Sequence, residues 1–314
     1  MIRPSRRSIS RRAALAAAIV LGLLARAVPA AAQACCGGGS LTSPTRLAAH
    51  EDFAVGLQTR ARSVLGSFGS TGQYTSAATE DDLEQDLAAS FRVTERGQIG
   101  AVVPYLETRR IESGTAQWGS GIGDLAFNAR YDFLTAAEAL HWPGIGLLAS
   151  VLVPTGKASG AGTNPSSTDA TGTGTFNATL GLALEKARGP YYGAIDAWAT
   201  YCFDLTVTPP GGMTMTTSFP LQWTLLALGG YVFDSEAALA LYLNVLERGD
   251  DTRNGMSQAG TVLRLTTLGV SGVLPFHDLW RLQGTVFSDV LVSSFGRNEQ
   301  GGIGLTAALV RLWR

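Results

Sequence analysis

The sequence predicts an all-β protein: a transmembrane antiparallel up-and-down β-barrel of about 12 strands, preceded by a cleaved N-terminal signal peptide. Three observations predict this fold. Apolar and polar residues alternate in segment after segment, as in a strand with one dry and one wet face. The connections between the segments alternate in length. The last segment ends in an aromatic residue beside the C-terminus.

The first 34 residues have the pattern of a secretory signal peptide and are set aside from the fold. Arginines between Arg3 and Arg12 precede an apolar run over 13–25 and the small-residue sequence VPAAAQA. We expect cleavage after Ala34, so that 1–34 is the signal peptide. The run is shorter than the ~18 apolar residues that a membrane-spanning helix needs. No transmembrane helix is therefore expected in the mature chain.

Charge and cysteine content exclude several classes of protein. Charged residues make up 16% of the chain and the net charge is −1, so no basic field for nucleic acid is expected. Three cysteines, Cys35, Cys36 and Cys202, are too few for a small secreted scaffold held by disulfides. The length suits one large β domain or two ordinary ones.

The stretch GIGDLAFNARYDF, residues 121–133, shows the alternation clearly. Its odd positions from Leu125 to Phe133 are apolar, and most of its even positions are polar. About twelve segments share this pattern, each near the length of about 9–11 residues that a tilted strand needs to cross a bilayer. They run over 50–67, 83–94, 98–111, 121–133, 144–155, 173–186, 191–206, 219–233, 237–247, 261–274, 280–292 and 301–313.

The connections alternate between a short and a long set. The short set comprises 95–97, 134–143, 187–190, 234–236 and 275–279. The long set comprises 69–82, 112–120, 156–172, 207–218, 248–260 and 293–300. Bacterial outer-membrane barrels have short periplasmic turns and long external loops, whereas a soluble sandwich has no reason to keep this asymmetry. We therefore predict a barrel over 50–314, with 35–49 as a periplasmic extension or a small plug.

The last segment and the aromatic residues support the same fold. Apolar residues on one parity lead to Trp313, and alternating terminal strands that end in an aromatic residue are typical of outer-membrane barrels, although Arg314 follows here. Aromatic side chains also gather at segment ends, where interfacial girdles are expected. A soluble core closed by aromatic residues is the alternative.

If the apolar faces meet lipid, the polar faces line a lumen that we take as a possible substrate path. The predicted lining residues are Arg60, Arg62, Glu84, Asp86, Arg92, Asp124, Asn128, Arg130, Asp132, Asp196 and Asp204. The alternative is that these charges pair across strands and stabilise the interior without transporting anything. A substrate path needs a gap in that lattice.

Residues 121–124, with Arg130 and Tyr131, resemble the outer-membrane transporter family named for the MetA pathway of phenol degradation. The resemblance continues through Pro154-Thr155-Gly156, a loop rich in Gly, Ser and Thr, and a strand carrying Asn177, Leu180 and Gly181. It is best over about 121–205. The resemblance implies a barrel that admits small hydrophobic or aromatic molecules, with no cofactor and no catalytic residues to carry over.

The histidines argue against an enzyme. Barrel hydrolases need a histidine-assisted nucleophile or an Asp/His pair near the outer rim. On the predicted topology His50, His141 and His277 all lie on the periplasmic side. We therefore predict that the protein is not an enzyme.

The adjacent cysteines Cys35 and Cys36 leave several interpretations open. Cys35 is a candidate for lipidation, although Ala32 stands where a lipoprotein signal normally has Leu. With His50 the pair is a candidate for copper or zinc, but no second spaced pair supports a metal site, and none is predicted. A disulfide between them or with another chain is the remaining interpretation.

The leading hypothesis is a monomeric barrel in the outer membrane of a Gram-negative bacterium, mediating passive uptake of small, hydrophobic or aromatic molecules. Its partners are then the lipid bilayer and those molecules. The first alternative is a plugged structural or interaction barrel. The second is a secreted soluble β protein, which predicts polar outer faces.

Overall fold

The computed structural model describes residues 44–112, 114–138, 141–158, 161–164, 167–207 and 214–314. The predicted signal peptide, Cys35 and Cys36 lie outside these residues. Within them, no helix is both long enough and apolar enough to pass through a membrane.

Strands make up almost all of the regular structure. Thirteen of them form one sheet: β1 (Phe53–Phe68), β2 (Tyr74–Thr94), β3 (Gly97–Glu112), β4 (Thr115–Ile122), β5 (Leu125–Leu134), β6 (Gly144–Val153), β7 (Asn177–Arg188), β8 (Tyr191–Cys202), β11 (Gln222–Val232), β12 (Ala238–Arg248), β15 (Leu263–Pro275), β16 (Trp280–Asp289) and β17 (Gln300–Trp313). Four short strands form a second sheet: β9 (Leu205–Val207), β10 (Met215–Ser218), β13 (Thr252–Arg253) and β14 (Met256–Ser257).

The large sheet closes into an antiparallel barrel. β1 pairs with β2 on one side and with β17 on the other, with Phe53 opposite Trp313. β4 and β5 both pair with β3, so they occupy one position in the wall, and the barrel has 12 such positions. Pairing of β1 with both β2 and β17 closes the sheet, as a membrane-spanning sheet requires, whereas the short strand β4 pairs with β3 alone. The predicted fold class is confirmed.

The outer surface of the barrel is apolar, and we call it the outer belt. In β5, the odd-numbered residues from Phe127 to Phe133 are exposed, whereas the even-numbered residues between them are half-buried. The same alternation runs through β8 and β17, where the odd positions face outward. A soluble β protein would present polar outer faces, so the secreted soluble alternative is wrong. The fold is that of a bacterial outer-membrane barrel.

Aromatic pairs mark the end of the barrel that carries the short connections. The ring centroids of Tyr191 and Tyr231 are 5.4 Å apart, and those of Phe53 and Trp313 are 5.0 Å apart. The Arg311 guanidinium lies over the Trp313 ring at 5.1 Å. Aromatic girdles of this kind lie at the membrane interface. We call this end periplasmic and the opposite end outer.

Strand extends further at the outer end than the sequence predicts. β2 begins at Tyr74, within the predicted connection 69–82, and β4 lies largely within the predicted connection 112–120. The added part of β2 carries polar residues on both faces, because above the bilayer neither face needs an apolar surface, so its sequence lacks the alternation that indicated the other strands. β4 keeps part of the alternation, with Trp118 and Ile122 exposed.

Candidate transport lumen

The barrel encloses a cavity of about 670 Å³. On one side lie charged and polar side chains of β1, β2 and β16, which we call the charged arc: Gln58, Arg60, Arg62, Glu84, Asp86 and Asp289. The largest apolar side chains come from β6 to β16, and we call them the apolar arc: Leu148, Trp198, Leu226, Tyr242, Leu265 and Phe287. The lumen therefore has a charged arc and a more apolar one, in which Thr179, Asn244 and Thr267 also line the cavity.

The charged arc is a lattice of cross-strand pairs. Arg60 and Glu84 face each other in the register of β1 and β2 and form an ion pair. Arg62 pairs with Asp289 at 3.1 Å. Asp289 Oδ1 also accepts a 2.6 Å hydrogen bond from Thr267. These contacts stabilise the wall by themselves, as the pairing alternative predicts.

One carboxylate of the charged arc is only partly satisfied. Gln58 Nε2 donates to Asp86 Oδ2 at 2.9 Å. Asp86 Oδ1 is buried and has no hydrogen-bond partner within the described part of the chain. A buried acceptor without a hydrogen bond lowers the stability of the fold. Asp86 is therefore the position in the charged arc that could accept one more hydrogen bond.

A second ion cluster lies on β5, β7 and β8. Glu185 accepts from Arg46 at 2.7 Å and from Arg130 at 3.1 Å, and Arg130 also pairs with Asp132 at 2.7 Å. Asp196 is buried on the neighbouring strand, and its Oδ1 has no hydrogen-bond partner among the described residues. The cluster joins the wall to Arg46, which precedes the first strand.

Residues 44–51 enter the lumen, and we call them the N-terminal plug. Pro44 to Ala48 are buried. Thr45 Oγ1 lies 2.7 Å from Ser90 Oγ, and the Leu47 backbone N–H donates to Gln98 Oε1 at 3.1 Å. Of the predicted segment 35–49, only residues 44–49 are described.

A buried ion pair fixes the other end of the plug. The two carboxylate oxygens of Glu51 each accept from Arg281 Nη2 at 2.8 Å, and both side chains are only 4% exposed. Leu47 packs in a buried apolar cluster with Ala54 and Val310. These partners lie near the periplasmic ends of β16, β1 and β17. The plug therefore occupies the periplasmic end of the lumen.

The connection from β6 to β7, residues 154–176, is built around Asp124. Asp124 Oδ1 accepts from the Gly156 backbone N–H at 2.9 Å. Its Oδ2 accepts from the backbone N–H and the hydroxyl of Thr173, at 2.6 and 2.8 Å. We call this connection the β6–β7 loop. The GIGD and PTG motifs thus meet at one carboxylate, which folds the loop onto the inner face of the wall.

Glycine is required where the loop meets the wall. A Cβ on Gly119 would lie 2.4 Å from the backbone of Thr168, and one on Gly172 would lie 2.4 Å from Asp124 Oδ1. Within the loop, Lys157 donates a hydrogen bond to Asp169 and so lowers the pKa of that carboxyl, and the backbone N–H of Thr163 lowers it further. The β6–β7 loop is thus packed directly against the backbone of β4.

The predicted lining residues fall into three groups. The cavity is lined by Arg60, Arg62, Glu84, Asp86, Asn128 and Arg130. Arg92, Asp124, Asp132 and Asp196 lie inside the barrel but bind the plug, the β6–β7 loop or the ion cluster, or are buried beside that cluster. Asp204 follows the end of β8 in an exposed connection, so its predicted lumen position is wrong: the strand ends before the alternation does.

Several residues of the lumen were not predicted. β16 carries a clear signal, because Arg281, Gln283 and Asp289 share one parity and alternate with apolar residues. Glu185 on β7 has the same kind of signal. The plug residue Arg46 has none, because its segment shows no periodicity.

The barrel fold is shared with solved outer-membrane proteins, although the sequence is not. No protein-family model matches the chain, and no curated protein matches its sequence. Among solved structures, the COG4313 outer membrane channel from Pseudomonas putida F1 superposes with a TM-score of 0.69 at 16% identity, over 86% of this chain and 98% of that one. The translocator domain of the autotransporter NalP from Neisseria meningitidis matches with a TM-score of 0.47 at 11% identity, over 96% and 98% of the two chains.

Proposed function

We propose that this barrel is an outer-membrane channel for the passive uptake of small hydrophobic or aromatic molecules. The observation that carries the proposal is the two-sided cavity of about 670 Å³ inside a closed barrel. The superposable Pseudomonas putida structure is that of an outer membrane channel, which supports the same kind of function. Membership of the MetA-pathway family is part of this proposal.

The apolar arc is the part of the lumen that suits such solutes. Trp198 and Phe287 pack against a buried cluster that includes Tyr242 and Leu226. Transfer of an aromatic solute from water to this surface is favourable by about 25 cal/mol per Å² of apolar area buried. The charged arc is largely neutralised by its own ion pairs, so it needs no charged solute.

The plug makes passage conditional. A solute that enters from outside meets residues 44–51 before it reaches the periplasm. We infer that transport requires the plug to shift, because its buried pair between Glu51 and Arg281 lies across that end.

Uptake of aromatic solutes into proteoliposomes tests the proposal. Trp198→Ala removes the largest ring of the apolar arc and should slow entry of a monoaromatic hydrocarbon relative to a sugar of similar size. Trp223→Ala is the matched control, because Trp223 lies on the adjacent strand and points outward, 60% exposed. Each uptake rate is compared with that of empty liposomes. If the wild-type barrel speeds the entry of neither solute, the result counts against a channel.

A plugged structural or interaction barrel is the second candidate. The plug and the cross-strand ion pairs favour it, because both fill the lumen without needing a solute. Deletion of residues 44–48 separates the two candidates. A channel should then conduct ions in a planar bilayer. A barrel whose lumen is filled by cross-strand ion pairs should show no conductance.

We propose no catalytic role. His50 precedes β1, and His141 and His277 lie in the short periplasmic connections. No group of three or more His, Cys, Asp or Glu side chains among the described residues is arranged to hold a metal ion.

A further inference from the structure

The outer belt carries a groove near the periplasmic end of β7, β8, β11 and β12. Its volume is about 690 Å³ and its lining is almost entirely apolar. The floor is formed by two outward-facing glycines, Gly193 and Gly229, which are direct neighbours in the register of β8 and β11. A Cβ on Gly229 would meet no atom within 4 Å, and one on Gly193 would meet only the Leu228 carbonyl oxygen, at 3.4 Å. The groove is thus an indentation in the wall that faces lipid.

Aliphatic side chains form the edge of the groove toward the membrane centre. Leu184, Ile195, Ala227 and Leu243 follow one another in the register across the same four strands. Leu184 and Ile195 are exposed on the outer face. An extended hydrocarbon chain lying in the groove would contact aliphatic atoms on this side and glycine backbone beneath.

Cationic side chains stand at the periplasmic edge. Lys186 lies opposite Gly193, and Arg188 lies opposite Tyr191. Both share the outward parity of β7, and Arg188 is exposed. Lys186 Nζ donates to the Trp142 carbonyl oxygen at 2.8 Å, which holds the ammonium beside the groove. The chain contains only one other lysine, Lys157, in the β6–β7 loop.

We propose that this groove binds an anionic glycerophospholipid of the periplasmic leaflet, with one acyl chain over Gly193 and Gly229 and the phosphate between Lys186 and Arg188. Charge complementarity decides the occupant, because two cations at the interface adjoin an apolar indentation. Basic pockets beside membrane-spanning segments bind anionic head groups in this way. The site is on the outside of the wall, so the proposal does not depend on transport through the lumen.

Native mass spectrometry of the full barrel, released from mild detergent after incubation with phosphatidylglycerol or phosphatidylcholine, tests the site. The wild type should retain phosphatidylglycerol in preference to phosphatidylcholine. Lys186→Gln and Arg188→Gln should each lower retention of phosphatidylglycerol by about five-fold. Arg311→Gln is the matched control, because Arg311 is an outward interfacial arginine on β17, over Trp280 and Trp313.

Gly229→Leu tests the acyl-chain half of the site. The variant fills the groove from open space, so the barrel should fold normally, as heat-dependent gel migration would verify. It should lower retention of both lipids while Lys186 and Arg188 stay in place. Equal retention of the two lipids by the wild type, or unchanged phosphatidylglycerol retention in the Lys186→Gln, Arg188→Gln double variant, would overturn the proposal.

Discussion

The N-terminal plug and the β6–β7 loop both fold into the barrel, one at each end, but they are held in different ways. The plug is held largely by long side chains from several strands, including Arg281 and Glu185. The loop is held by the Asp124 carboxylate, by hydrogen bonds that the hydroxyls of Thr155 and Thr171 donate to backbone carbonyl oxygens of the wall, and by direct contact of its backbone with Gly119. We therefore expect release of the plug to leave the wall folded, and loss of the loop contacts to disturb β4 and the start of β5.

The largest effect is expected for a substitution that weakens the attachment of the plug. Glu51→Gln leaves Arg281 buried without its charge partner, which costs about 3–5 kcal/mol. We expect the plug to be released while the barrel stays folded, seen as higher single-channel conductance and faster amide exchange over residues 44–51. Glu95→Gln, an exposed residue of the turn between β2 and β3, is the control and should change neither quantity.

The next effect concerns Asp124. Asp124→Asn removes the charge on which the hydrogen bonds from Gly156 and Thr173 converge, at a cost of about 1.5–3 kcal/mol. Amide exchange of residues 167–173 should become faster, with the plug unaffected. Asp204→Asn, in an exposed outer connection, serves as the control. Faster amide exchange in the plug as well would show that the loop and the plug are not held independently of each other.

A steric change tests the close contact between loop and wall. Gly119→Ala places a methyl group against the Thr168 backbone, and overpacking of this kind costs about 1–3 kcal/mol. Exchange over 167–173 should again rise. Gly229→Ala puts the same group into open space on the outer face and should leave the loop unchanged. An equal response of the two variants would show that the loop is not packed on β4.

The smallest effect is that of mild acid on the loop. The hydrogen bond from Lys157 lowers the pKa of Asp169 below the ordinary value of about 3.9. A lowered pKa in the folded state contributes stability above the ordinary pKa, and that stability is lost only as the pH falls through the lowered one. Exchange of 167–173, corrected for its intrinsic pH dependence, should therefore not change between pH 7 and about 4.5. Faster exchange of residues 167–173 between pH 7 and about 4.5 would contradict a lowered pKa of Asp169.

The wall could be predicted from the sequence because its determinant is local. Each strand alternates with a period of two, so Phe127 is exposed outward while Asn128 and Arg130 line the cavity, as the sequence indicates. The same parity on β16 would have revealed Arg281 and Asp289. Alternation does not report where a strand stops, and Asp204 was misplaced for that reason.

The plug and the role of Asp124 could not be predicted, because their determinants are distant in sequence. Arg46 pairs with Glu185, 139 residues away, and nothing near Arg46 indicates that partner. Asp124 was predicted to face inward, and it does, but the carboxylate is used by a loop that begins 30 residues later. The parity of a residue in its strand determines whether its side chain faces inward or outward. Which residue it contacts depends on how the distant strands are arranged in the closed barrel.

The four-stranded outer sheet makes one surface out of two separate connections. β9 and β10 come from the connection between β8 and β11, and β13 and β14 come from the one between β12 and β15. Thr217 pairs with Arg253 and Ser218 with Thr252 across the junction. An antibody or phage that recognises this patch therefore reads a discontinuous epitope. We expect a synthetic peptide copied from either connection alone to raise sera that miss the folded protein.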